Sequence, residues 1–145
     1  MQTCFPRSCY DRVGGIVYFA RMLDKIRQVA ANTLPKEYHD NLGIGFDSRC
    51  CVLLGVKYED LRKRTLEGGS DDEVLQWCFQ HGHKPADHEI EIWNSFMLKR
   101  GWRDESTPTL HRRLKEAKLE HRMSEILTMF EFIDVDEDRE PPKFA

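Results

Sequence analysis

The chain has 145 residues, 40% hydrophobic and 32% charged, with a net charge of −3. That length is one ordinary domain, able to bury about two-thirds of its unfolded surface, and its apolar content outweighs the entropy of ordering it, which excludes general disorder. The near-neutral charge gives no case for nucleic acid, and no apolar run is long enough for a signal peptide or a bilayer span, so a cytoplasmic location with no membrane partner is expected.

Residues 1–13 show no period and read as an arm either folded over the domain or partly loose. From Gly14 to Ala31 the sequence reads as a glycine pair opening one amphipathic helix. Ile16, Phe19, Ala20, Leu23, Ile26 and Ala30 recur at helical spacing on an apolar face, and Arg21, Asp24, Lys25 and Gln28 form the polar side. Arg27 projects beside the apolar face and needs a partner there, either Asp24, the nearest acid in sequence, or a distant carboxylate.

The stretch from Asn32 to Gly45 is rich in Pro, Asn and Gly and predicts a long connection with one turn near Lys36–His39. Asp47 is a suitable N-cap for a short helix through Leu54, closed by Gly55. A helix over about Tyr58–Glu67 follows, and Ser70 with Glu73 forms a capping box for another that ends near His81 and Gly82. Pro85 begins a helix running to about Arg100, with Ile90, Trp93, Phe96 and Met97 inward. A charged helix over Pro108–Lys118 and an apolar one over Ser124–Ile133 complete a helical domain of residues 14–133, before an acidic tail, 134–145, read as solvated. The expected fold is all-α, a single compact domain of six or seven short helices.

Gly14-Gly15, Ala20-Arg21, Asp24-Lys25 and Arg27, with Leu54-Gly55-Val56 before a helix holding Leu61 and then Glu73-Val74-Leu75-Gln76-Trp77, resemble a bacterial domain-of-unknown-function family, number 5069. The resemblance runs from about Arg7 to Asp136 and implies a small soluble helical domain. It carries no reaction, cofactor or catalytic residue with it.

Two constellations could support chemistry. Gly14 and Gly15 could offer backbone N–H groups to an anion at the positive end of the first helix, beside Arg7, Arg12, Arg21 and Arg27 and close to Asp24. Cys78, His81, His83 and His88 provide soft and borderline donors of the kind zinc prefers, without either paired zinc motif. The five cysteines, Cys4, Cys9, Cys50, Cys51 and Cys78, predict reduced thiols, and the adjacent Cys50 and Cys51 read as core residues instead of a redox pair. The leading expectation is a helical domain without cofactor that binds a small anionic ligand or a protein partner through the first helix and its arm. The rival is a metal-dependent protein or enzyme built on the Cys78/His81/His83/His88 cluster.

Overall fold

Gly14 and Gly15 both take positive φ, 56° and 79°, and there the chain reverses as a tight hairpin of the kind that needs two glycine-tolerant positions. In the computed structural model, which describes residues 4–143, β1 (Arg12–Val13) pairs antiparallel with β2 (Ile16–Val17), Arg12 opposite Val17 and Val13 opposite Ile16. The glycine pair therefore does not open the first helix. Tyr18, in the left-handed region at φ 77°, breaks continuity, and α1 begins only at Phe19 and ends at Ala30. The first three residues of the expected arm and the last two of the expected tail lie outside the described residues.

Neighbours cover α1 on more than one side, with α3 and the hairpin both packed against it. The expected polar side is accordingly half wrong: Arg21 and Lys25 are each only 4% exposed, while Ala30, assigned to the apolar face, stands in solvent. A 3-10 turn over Lys36–Asn41 follows. Next comes α2 (Phe46–Leu54), capped at its start by Gly45 instead of Asp47 and closed, as expected, by Gly55 at φ 65°. The helices α3 (Tyr58–Leu66) and α4 (Asp71–His81) lie where the caps place them, and the Ser70/Glu73 capping box is present.

Beyond α4, Gly82 crosses the end of α2, and His83 N donates to the Leu54 carbonyl at 2.8 Å. A Cβ on Gly82 would lie 2.2 Å from that carbonyl oxygen. In α5 (Asp87–Lys99), Trp93 and Met97 are buried, and Trp93 Nε1 donates to the Val17 carbonyl at 3.1 Å. Ile90 is only half-buried and Phe96 is 38% exposed, correcting their inward assignment. The Arg100 guanidinium lies over the Phe96 ring at 5.3 Å and gives it a surface partner in place of the core.

The chain forms two compact units, one extending through Trp93 and one from Asn94. In the second, α6 (Thr107–Glu116) packs with α7 (Met129–Asp136). The last helix starts later than Ser124 because Thr128 caps it, its hydroxyl accepting from Glu131 N at 3.1 Å, after a 3-10 turn at Glu120–Arg122. The acidic tail is not simply solvated: Asp134 and Glu137 are 2% and 3% exposed, and Arg139 Nη1 lies 2.5 Å from Glu137. With seven α-helices and one two-stranded sheet among the described residues, the fold is predominantly helical, as the sequence predicts.

Gly82 and Gly15 separate two ways in which a glycine matters. Gly82 has a negative φ but no room, so Gly82→Ala is expected to cost about 3 kcal/mol through collision with the Leu54 and Gly55 carbonyl oxygens. Gly15 has room but positive φ, so Gly15→Ala is expected to cost about 1 kcal/mol. Urea titration of both variants measures the difference.

Candidate functional site

At the arm, the residues expected to form an anion site are largely occupied with one another. Asp71, the first residue of α4, receives Arg7 Nη1 on Oδ2 at 2.8 Å and Arg27 Nη1 on Oδ1 at 2.5 Å, so one carboxylate joins the arm, α1 and α4. Arg27 is therefore paired with Asp71 and not with Asp24. Asp24 accepts instead from the Arg7 backbone N–H and from Gln28 Nε2, both at 2.9 Å. Arg21 Nη1 donates to the Arg7 carbonyl at 3.0 Å and its guanidinium covers the Tyr38 ring at 5.7 Å. Arg12, Gly14 and Gly15 are exposed at the hairpin. The glycine N–H groups thus belong to a hairpin turn and not to a helix N-terminus, and the field of α1 is not focused on them.

Two of the four Cys/His residues, His81 and His83, are engaged in local bonds. His81 Nδ1 donates to the Trp77 carbonyl at 3.0 Å, and its ring stacks on the Trp77 indole with centroids 4.9 Å apart. His83 Nε2 donates to the Glu89 carboxylate at 2.9 Å; the Ala86 N–H, and then His83, hold that carboxyl below its ordinary pKa. Cys78 is buried and His88 exposed. Among the described residues no three His, Cys, Asp or Glu side chains are placed to share a metal ion.

A second polar cluster, fully buried, is centred on Lys25, one turn beyond Arg21 on α1, and the sequence reading missed it. Lys25 Nζ donates to Asp47 Oδ1 at 2.8 Å and to the Tyr18 hydroxyl at 3.0 Å, while that hydroxyl donates to Asp47 Oδ1 at 2.5 Å. The other Asp47 oxygen accepts from Gly43 N at 2.9 Å. Asp47 is fully buried, so its charge is stable there only because a cation, a phenol and a backbone N–H surround it. Burial, and then the Asp47 charge, push the Tyr18 phenol far up, keeping it a donor. The available sequence signal was an acid at the second position of an apolar helix, two residues after the Gly45 cap.

Gly43 connects this cluster to an open cleft. The Tyr58 ring lies so close that a Cβ on Gly43 would be 2.9 Å from Tyr58 Cδ1, which requires glycine at that φ of 76°. Around them Ile26, Val29, Ala30, Leu42, Glu59, Arg62 and Leu66 line a cleft of about 420 Å³. Burial, and then Asp47, raise the Tyr58 phenol well above its usual range, so it stays protonated. Arg62 Nε donates to Glu59 at 3.2 Å, and both side chains remain partly in solvent.

These features define a small, predominantly helical protein with a charge-stapled first helix and an apolar cleft beside it. The chain belongs to DUF5069, a domain of unknown function, which it matches over residues 3–139. No curated protein matches the chain. No helix among the described residues is long and apolar enough to cross a membrane.

The two charge clusters differ in burial, and their variants should differ accordingly. Asp47→Ala strands a buried ammonium and is expected to cost about 3–5 kcal/mol in urea titration. Arg27→Ala is expected to cost about 1–2 kcal/mol, because the Arg27 side chain is 35% exposed and solvent screens the pair.

Thiol reactivity gives a separate check. Burial pushes Cys51 up to about 11 and Cys78 up to about 12, so both remain neutral and unreactive at pH 8. Ellman's reagent at that pH is expected to label exposed Cys4 quickly, and the four buried thiols only after unfolding.

Proposed function

We propose that the protein is a small-molecule binding module whose ligand enters the cleft beside the C-terminal half of α1. The observation that carries this reading is the cleft itself: its volume of about 420 Å³ falls in the range of ligand sites, and apolar walls meet a few polar groups there. The ligand is placed here and not against the arm because Arg7, Arg21 and Arg27 already have acceptors, whereas Ile26, Val29, Leu42 and Leu66 offer an apolar lining. Gly43, fixed between the Tyr58 ring and the Asp47 carboxylate, supports one wall. A wall held in this way loses little freedom when a ligand arrives, which favours affinity.

The test uses N-phenylnaphthylamine, a neutral apolar dye that fluoresces on leaving water. Ala30 is exposed and lines the cleft, so Ala30→Phe fills it without disturbing the core. The dye is expected to bind the unaltered protein, and the variant about tenfold more weakly at an unchanged melting temperature. Equal binding by both proteins, or none by either, rejects the cleft as the site.

A further inference from the structure

Resting on the cleft as the ligand site, we infer that its ligand is a small amphipathic carboxylic acid, with the apolar body between α1 and α3 and the carboxylate on Arg62. Arg62 is the cation lining a cleft otherwise formed mainly by apolar side chains. It donates only Nε to Glu59, at 3.2 Å, and a guanidinium has four further N–H donors in a planar fork that matches a carboxylate.

Glu59 is the displaceable counterion. Its side chain is 68% exposed against 43% for Arg62, so the acid lies farther into solvent than the base it accompanies. Exposed pairs of this kind contribute about 0–1 kcal/mol, little enough for an incoming carboxylate to exchange with Glu59. The exchange leaves Glu59 hydrated at the first turn of α3, where the helix field favours an acid. The opposite polarity, an amine held by Glu59, would bring a second cation beside Arg62 and set its charge in water instead of over the apolar walls. Tyr58 adds a donor without charge, since its phenol remains protonated.

Competition against bound N-phenylnaphthylamine tests the inference on the 145-residue chain. Decanoate, decanol and decylamine share an apolar body and differ in the head group. Decanoate is expected to displace the dye about tenfold better than decanol, the difference that one charge-assisted head-group contact supplies, and better still than decylamine. Arg62→Gln should remove that preference, so that decanoate and decanol displace the dye alike, and Glu59→Gln should strengthen decanoate severalfold. Equal displacement by decanoate and decanol, a preference for decylamine, or a preference that survives Arg62→Gln overturns the carboxylate assignment while the cleft reading stands. Failure of the dye itself to bind overturns both. Preference for anionic vesicles of phosphatidylglycerol over free decanoate also overturns the inference, because it would make the recognised surface a membrane.

Discussion

Burial of α1 is the constraint on which the rest of this structure depends. A helix covered on several sides ordinarily carries apolar residues all round, yet α1 has Arg21, Asp24, Lys25 and Arg27 in its middle turns. Taking such groups from water costs several kcal/mol each unless they are paired. Each pairing holds a different segment against the helix: Arg21 and Asp24 hold the arm at Arg7, Lys25 holds the start of α2 through Asp47, and Arg27 holds α4 through Asp71. Hydrophobic contact alone would tolerate several placements of these segments. The charged contacts make one of them favourable, because any slip strands a desolvated group.

The same logic connects the interior to the cleft. Asp47 gives one oxygen to Lys25 and Tyr18 and the other to Gly43, so a core ion pair fixes a loop residue that forms part of the cleft wall. On its other face Gly43 meets the Tyr58 ring, and α3 carries Tyr58, Glu59, Arg62 and Leu66 along that side. The cleft is thus built from two rigid helices and a loop tied to the core. Its polar groups differ from those of the interior in one respect: Glu59 and Arg62 remain partly hydrated, so they can change partners at small cost.

What could be read from the sequence was what local chemistry decides. Ser70 with Glu73 and Gly55 after Leu54 satisfy backbone groups within a few residues, Pro108 in the first turn of α6 removes a donor that would stand unpaired there, and each boundary lies within a residue of where this local chemistry places it. Thr128 with Glu131 repeats the Ser70/Glu73 pattern, so the true start of α7 was also written locally, although apolar Ile126 and Leu127 extend the helical period in front of it. Val13-Gly14-Gly15-Ile16 carried a hairpin signal that lost to the long period of the residues after it, and the strained Tyr18 that separates hairpin from helix leaves no mark in composition. The Lys25–Asp47 pair was hidden for a different reason. Its partners are 22 residues apart, and on an isolated helix Lys25 belongs to the wet side. Only the arrival of α2 and its preceding loop changes that side into interior.

The candidate site follows from where the covering of α1 ends. The chain leaving α1 turns at Asn32, donates from Thr33 N to the Gln28 carbonyl at 2.9 Å, buries Leu34 and returns at Leu42 and Gly43 as one wall of the cleft. Val29 and Ala30 remain partly or fully open while Ile26, one turn earlier, is covered. An apolar surface that remains uncovered beside a fixed wall and a half-hydrated guanidinium differs from a packing defect, since a defect in the core would be closed by relaxation of neighbouring side chains. Here relaxation is blocked on one side by Gly43 between Tyr58 and Asp47, and on the other by the continuous backbone of α3. The charges that pin α1 in place also keep this cleft from collapsing.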